Sequence, residues 1–390
     1  MADKACRNMS QRRMLILGGS TRAAADSVRR AGWQPVCADI FADLDLQATA
    51  EVIPTRHYPD SFPEDVAQVQ ADGWFYTGAF ENHPDLIEQI LAQVPNAGQL
   101  WGSSPDPLKQ VRDPFWLSEI LRQHRLPTLD VVSQSTPPAL DGGWLQKPLA
   151  SAGGRLIRKW NRDAANNPFP EPHYFQAHAR GLGLSVIFRI DNSHVEWLGA
   201  SQELDASPHS QPPTVYSYCG SLGPIETLPQ QARGTLIRIA RTLARHAPGL
   251  RGLVGLDFRL DGDSVWLTEV NPRYTASVEV LELASGRSFL NPEMSSGKPG
   301  HAVVIKQILY ASSTMTAPDL SKWLPGSDPW QVPFLADIPV AGVRIESEWP
   351  ICTVMAYGDH PNQAQQMLEQ RLTLIRNLLC SGESAGGSAG

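Results

Sequence analysis

Between residues 14 and about 100, short apolar runs alternate with segments whose apolar positions recur every three or four residues. MLILGGS (14–20), QPVCADIFAD (34–43) and GWFYTGAF (73–80) are apolar enough for buried strands, while TRAAADSVRRAG (21–32) and DLIEQILAQV (85–94) carry the helical period. Such alternation predicts a small α/β layer on a parallel sheet. Later, LVGLDFRL (253–260) and SVWLTEV (264–270), separated by Asp261-Gly262-Asp263, predict a β-hairpin with a three-residue loop. Residues 229–247 show apolar helical spacing beside an arginine-rich face that reads as solvated, and 274–286 predict another helix. From about 291 to 380, short strands and a final helix predict a small C-terminal β-rich unit. The stretch 381–390 is too small and polar to bury anything and is expected to be a disordered tail.

The hairpin carries the first candidate chemistry. With a three-residue loop, Asp257 lies diagonally across from Glu269, on the face that Glu269 shares with Asn271. A two-residue turn would put Asp257 on the opposite face. Two carboxylates and an amide suit Mg²⁺, which keeps waters and takes phosphate oxygens as its remaining ligands. Arg273 would then meet phosphate. The other reading is an ordinary exposed hairpin with a polar face.

Upstream, residues 144–158 read as a strand bearing Lys147, a small-residue loop and a second strand. Ser151, Gly153 and Gly154 let backbone N–H groups approach a polyphosphate, and Lys147 adds a point charge from a rigid strand. No G-x-x-x-x-G-K-[ST] occurs, and a plain Gly-Gly hairpin is the alternative. Lysine is scarce, seven against 26 arginines among the 33 basic residues, which gives weight to one placed before a glycine loop. Between these features, 174–188 reads as an extended segment, a turn and a strand, an inter-lobe hinge. In the N-terminal layer, Gly18-Gly19-Ser20-Thr21-Arg22 closes a strand and opens a helix, so Ser20 and Arg22 are candidates to meet an anionic substrate. Asp39 follows the glycines at the spacing of a dinucleotide fold, but G-x-G-x-x-G is missing, and a tight turn is the stronger reading. Glu81 and Asn82 end another strand toward the same cleft, with helix capping as the alternative for Asn82. Tyr274 and Ser277, just beyond Arg273, are candidate substrate contacts, with capping by Thr275 the alternative.

In order along the chain, K-P-x-x-S-x-G-G, F-Q-x-x-x-x-G-x-x-x-S-V and D-x₁₁-E-x-N-P-R resemble the ATP-grasp superfamily over roughly residues 103–290. The resemblance implies an α/β chain with an N-terminal Rossmann-like domain (1–102), an ATP-grasp domain (103–290) with a phosphate-loop lobe at about 128–182, and the C-terminal unit (291–380). It implies ATP with Mg²⁺ or Mn²⁺, a small-molecule carboxylate and amine as substrates, and amide formation through an acyl phosphate. Carried onto this sequence, Lys147 becomes a phosphate ligand, Ser151 to Gly154 the phosphate loop, and Gln176, Ala177 and His178 the hinge whose backbone meets adenine. Asp257, Glu269 and Asn271 become the metal ligands, and Arg273 the catalytic group that stabilises transferred charge. Two departures stand out. Pro114 occupies the place of a first-lobe lysine, leaving Lys109 or Arg112 to substitute; and Gly183 follows Gly181 where relatives carry an acid that holds the ribose. A finer likeness, GGST…DxFxDxD…GxxEN…NPRYTASVEVLE, is to the group of tyramine–glutamate and pyrrolysine-assembly ligases and to proteins of methanofuran- and methanopterin-type one-carbon cofactor biosynthesis. It suggests glutamate joined to a tyramine-like amine or a cofactor precursor. A small-molecule kinase and a non-catalytic ATP sensor are the alternatives, and related ligases often form homodimers.

Composition fits a two- or three-domain enzyme: 390 residues, 42% hydrophobic and 8% aromatic. No apolar run reaches the roughly 18–20 residues of a membrane span, and the polar start shows no secretory apolar region. Five scattered cysteines without C-x-x-C spacing read as reduced thiols in a cytoplasm, and the histidines form no zinc-like cluster. A net charge of −7 argues against nucleic acid as the main partner.

Overall fold

A computed structural model describes residues 12–297 and 300–383, with side chains to residue 379. The polar start, Cys6, the side chain of Cys380 and the last seven residues lie outside the described residues. The helix Pro361–Glu383 runs three residues into the stretch expected to be a disordered tail.

The N-terminal layer is as its pattern requires. Strands β1 (Arg13–Leu17), β2 (Gln34–Asp39), β3 (Glu51–Pro54), β4 (Gly73–Tyr76) and β5 (Gln99–Leu100) form a sheet in the order β3-β2-β1-β4-β5, all parallel. Leu15, Leu17, Val36, Trp74 and Tyr76 pack into one core, and Met14, Ile16, Cys37 and Phe75 into another, because successive side chains face opposite sides and both sides are covered. Strand ends carrying Ser20 and Gly78 are thereby fixed at the carboxyl edge of the sheet.

Strands β6 (Val131–Ser133), β7 (Trp144–Pro148), β8 (Arg158–Lys159) and β9 (His173–Ala177) make a separate sheet in the order β6-β9-β7-β8. The larger sheet contains β10 (Leu182–Asp191), β11 (His194–Glu203), β12 (Gly220–Gly223), β13 (Gly252–Asp261), β14 (Ser264–Asn271) and β15 (Val303–Tyr310). It continues, past the two-stranded pair of β16 (Met315–Thr316) and β18 (Arg344–Ile345), into β17 (Leu335–Ala336) and β19 (Pro350–Gly358), in the order β14-β13-β10-β11-β12-β15-β19-β17. The C-terminal strands therefore do not stand apart as their own β-rich unit. β15 pairs with both β12 and β19, so one hydrogen-bonded sheet carries both regions.

One face of this sheet packs on the helix Gln230–His246, where Leu236, Ile239 and Leu243 meet Leu184, Val186, Leu256 and Phe258. The helix's arginines 233, 238, 241 and 245 are exposed, as expected. The side chains alternating with that core, Ser185 and Asp257 among them, point the other way, into a cleft of about 450 Å³ between the sheet, the small lobe and the N-terminal layer. Among the described residues no helix is long and apolar enough to cross a membrane.

Candidate functional site

The loop between β13 and β14 has two residues, Gly262 and Asp263, since Asp261 pairs with Ser264. Regular pairing from that turn would set Asp257 opposite Thr268 and send Glu269 to the helix-packed face. A β-bulge corrects this: Phe258 still pairs with Leu267, but Asp257 pairs with Glu269, leaving Thr268 as the extra residue. Leu267 and Val265 consequently lie in the core with Phe258, whereas Glu269 and Asn271 join Asp257 in the cleft lining. The expected sharing of a face is found; the expected three-residue loop is not. Thr268 also ties the two sheets together. Its carbonyl accepts from Lys147 Nζ at 3.2 Å and Gln176 Nε2 at 3.3 Å, and its hydroxyl donates to the Asp257 carbonyl at 2.9 Å.

The charges around Glu269 are arranged asymmetrically. Burial favours its neutral form, but Arg112, Lys147 and Arg273 outweigh burial and hold its pKa below the usual carboxylate value. Asp257 goes the other way, raised to about 6 by burial and by the Glu269 charge against the opposing effects of Ser185, Arg273 and Asn271. Two carboxylates sharing one spot, one of them reluctant to ionise, fit a divalent cation whose charge would relieve that repulsion. Asn271 Nδ2 donates to Asp257 Oδ2 at 2.7 Å, and its Oδ1 accepts from Arg273 at 3.0 Å. Among the described residues no three His, Cys, Asp or Glu side chains are grouped to hold a metal, so the donor set is two carboxylates and an amide. Mg²⁺, with waters and phosphate oxygens completing its shell, suits such a set.

Lys147 is buried and also donates to Gln176 Oε1 at 3.1 Å. Burial disfavours its charge, yet Tyr174 and Glu269 prevail and its pKa is raised. The glycine loop follows it. Gly153 and Gly154 have φ of +63° and +74°, and a Cβ on Gly154 would fall 1.9 Å from the Tyr216 carbonyl oxygen, so this loop geometry requires glycine. Gln176, Ala177 and His178 line the cleft beside it. The N–H groups of Ala177 and His178 are engaged inside the lobe, by the carbonyls of Asp130 (2.9 Å) and Gly143 (2.8 Å). An adenine contact at this hinge would therefore use backbone groups other than these two N–H groups.

Lys109 is exposed on the helix Pro105–Arg112 and does not line the cleft. Helical geometry turns Arg112 inward instead, where it donates to Glu269 Oε1 at 2.5 Å, to Asn82 Oδ1 at 2.9 Å and to the Ser151 carbonyl at 3.0 Å. Asn82 is thus an arginine partner rather than a substrate contact or a cap, since the following helix has no side-chain cap. Glu81 is fully buried: its Oε1 accepts from Arg273 Nε at 2.6 Å, while its Oε2 has no hydrogen-bond partner among the described residues.

Arg22 reaches the cleft from within an ion-pair network. It is buried and bound to Glu279 and to Asp337, with Asp45 at 3.6 Å, in a network that Lys306 joins through Glu279 at 2.7 Å. It lines the cleft beside Ser20, with its donors engaged by these carboxylates that fasten the N-terminal layer to the larger sheet. Asp39 accepts from Thr21 and from the N–H groups of Phe41 and Ala42 at 2.6–2.8 Å, a turn-holding role that leaves the dinucleotide reading without support. Ser20, exposed, and Tyr274 and Ser277, buried, do line the cleft; the Tyr274 hydroxyl donates to the Ala23 carbonyl at 3.0 Å. Sequence reasoning missed Glu203, Arg259, Ser221 and Tyr218, all cleft-lining. Glu203, Arg259 and Ser221 reach it through strand register and Tyr218 through the loop that leads into β12, neither of which the linear pattern encodes.

Residues 111–277 match the family model of the ATP-grasp domain. Over 368 residues the chain is 22% identical to an uncharacterized protein of Methanocaldococcus jannaschii, covering 88% of this chain and 87% of that one. The L-amino acid ligase of Bacillus licheniformis superimposes with a TM-score of 0.66 at 13% identity, over 93% of this chain and 97% of its own. Carboxyaminoimidazole ribonucleotide synthase of Aspergillus clavatus, complexed with ATP, gives 0.66 at 14%, over 94% and 99%. In architecture the chain is thus an α/β protein of the ATP-grasp fold, with the ATP-grasp domain match spanning residues 111–277.

Proposed function

We propose that this protein is a Mg-ATP-dependent ligase that joins a small-molecule carboxylate to an amine through an acyl phosphate. The observation that carries the reading is the convergence of Lys147, Arg112 and Arg273 on Glu269, with Asp257 directly opposite and Asn271 beside it. Cations placed around a carboxylate pair suit the transfer of a phosphoryl group, which needs positioning and charge stabilisation more than covalent chemistry.

In this reading Lys147 and the Ser151–Gly154 loop bind the polyphosphate, and Asp257, Glu269 and Asn271 hold Mg²⁺, which would neutralise phosphate charge. The substrate carboxylate oxygen attacks the γ-phosphorus, the bond to the β–γ bridging oxygen breaks, and ADP leaves. The amine nitrogen then attacks the acyl carbon, inorganic phosphate departs, and the nitrogen gives up a proton. Arg273, fixed by Glu81 and Asn271, steadies negative charge in both steps. Ligase names among fold relatives, L-amino acid ligase included, support the class. Residues 1–102 are read as a domain completing the cleft, and the sequence likeness favours glutamate as the acid with a tyramine-like or one-carbon-cofactor amine.

The test is ADP and phosphate release from the purified protein against a panel of acids and amines. The proposal expects release to require Mg²⁺, an acid and an amine together. ADP without free phosphate, from a hydroxyl acceptor alone, would instead establish a kinase, and ATP binding without turnover on any pair would favour a sensor.

A further inference from the structure

In the N-terminal sheet the order β3-β2-β1-β4-β5 sends the chain one way from β1 and the other way from β4. A crevice opens outside the carboxyl ends of two parallel strands at such a point. Both strands end in glycine here, Gly18-Gly19 after β1 and Gly78 shortly after β4. A Cβ on Gly19 would sit 3.5 Å from Ile40 Cδ1 and 3.8 Å from Tyr58 Oη, and one on Gly78 would sit 3.5 Å from Arg273 Cζ. Ile40, Tyr58 and Arg273 therefore wall the crevice, and Gly78 and Arg273 also line the cleft onto which it opens. Beyond Gly78 the chain turns back sharply. Ala79 holds φ at +78°, a conformation costly for a residue with a Cβ, and Glu81 comes to lie against Arg273.

Two oxygens at this place lack hydrogen-bond partners among the described residues. Glu81 Oε1 holds Arg273, but Oε2, on a side chain with 0% exposure, is bonded to nothing, and neither is the buried Tyr58 Oη. Burial first and the Glu81 charge next keep the Tyr58 hydroxyl from ionising, with Arg273 opposing, so the three groups share one neighbourhood. Buried polar atoms without partners call for a group that brings hydrogens. The proposed reaction has one. The amine nitrogen must shed a proton as it attacks, and the nearby Arg112, Lys147 and Arg273 already carry theirs. Asp257 and Glu269 are committed to the metal in that reading. Glu81 is the carboxylate bonded to Arg273, the residue that steadies charge on the reacting group.

We infer that Glu81 accepts the proton shed by the attacking amine, whose nitrogen reaches it through the Gly19–Gly78 crevice beside Tyr58. This rests on the ligase reading given above. The nitrogen lone pair forms the C–N bond, the C–O bond to phosphate breaks with its electrons leaving on phosphate, and the N–H proton passes to Glu81 Oε2 and later to solvent. The Tyr58 hydroxyl orients the nitrogen. The experiment gives the full chain Mg-ATP with the acid and amine pair that the release assay selects, and then with hydroxylamine in place of the amine. Hydroxylamine attacks acyl phosphates without a base, so hydroxamate reports acyl phosphate formation alone. Glu81→Gln, whose amide oxygen still accepts from Arg273, is expected to lower amide formation about 10²- to 10⁴-fold and hydroxamate formation by no more than about tenfold. Tyr58→Phe leaves the Glu81 ion pair intact, is expected to show the same split at about tenfold, and carries the test should Glu81→Gln not fold. Equal losses with amine and hydroxylamine would make Glu81 a support for Arg273 alone; that result, or undiminished amide formation, would overturn the inference and leave the ligase reading standing. A wild type that turns over no acid and amine pair would overturn both.

Discussion

Replacing Arg112 by Ala tests which basic residue of the first lobe serves the site. Arg112 makes one charge-assisted bond, 2.5 Å to Glu269, and two bonds to neutral oxygens, at Asn82 and the Ser151 carbonyl. A bond to a charged group contributes about 1.5–3 kcal/mol and a neutral one about 1 kcal/mol. The Ser151 bond also fixes the phosphate loop, so loss of all three removes about 3–4 kcal/mol of positioning when partial reorganisation is allowed. That corresponds to a loss of roughly 10²- to 10³-fold in kcat/KM for ATP. Arg112→Lys keeps the charge but not the fork and is expected to recover only part. Because Arg112 is the leading group that depresses the Glu269 pKa against burial, its removal raises that pKa, and the acid limb of the pH–rate profile moves to higher pH. Lys109→Ala, exposed on the same helix, is the control and stays within about twofold of wild type. Steady-state kinetics with varied ATP across pH 5–9, with melting temperature as a check on folding, decide the matter. Full activity in Arg112→Ala, or a large defect in Lys109→Ala, would refute the reasoning.

Deleting Thr268 removes the bulge residue while leaving every other β13–β14 pair in register. The fold is therefore expected to survive by circular dichroism, while nucleotide affinity falls about tenfold or more because Lys147 and Gln176 lose the carbonyl that both engage; unchanged affinity would show the bulge to be incidental. Asp43 is buried without a side-chain cap bond, and burial together with Asp337 and Asp45 pushes its pKa up to about 9. A carboxyl that binds its proton more tightly when folded makes stability fall as pH rises between its unfolded value, near 4, and the folded one. Asp43→Asn is thus expected to raise the melting temperature at pH 8 and change it little at pH 4, and a pH-independent effect would contradict this. Glu81→Gln, which keeps shape but loses the charge facing Arg273 at 2.6 Å, is expected to lower kcat with little change in the KM for ATP.

Much of this was legible in the linear pattern, and what was not has physical causes. The parallel N-terminal sheet and the helix Gln230–His246 follow directly from hydrophobic period, which local sequence sets. Lys147, Asp257, Glu269 and Asn271 come together as their spacing suggests, but by a different route: a shorter turn whose parity error is cancelled by the bulge at Thr268. Turn length and bulge position trade against each other, and a sequence reading sees only their sum. Lys109 and Arg112 are both basic and three residues apart on one helix, so charge pattern alone does not say which faces the cleft. Arg22, Glu81 and Asn82 were visible as polar groups at strand ends, yet their partners Glu279, Arg273 and Arg112 lie 257, 192 and 30 residues away. Glu203 owes its place to the β10–β11 register and to the missing side chain of Gly183.

The measurement that tests the central claim most directly is the fate of oxygen in one turnover. Once an active acid and amine pair is found, the acid is supplied with ¹⁸O in its carboxylate, and the phosphate released is analysed by mass spectrometry, with Glu269→Ala as the inactive control. An acyl phosphate predicts one ¹⁸O in each inorganic phosphate, because the carboxylate oxygen that attacked phosphorus leaves with it, and no product from the variant. Phosphate without label, or turnover that persists in Glu269→Ala, would contradict the account.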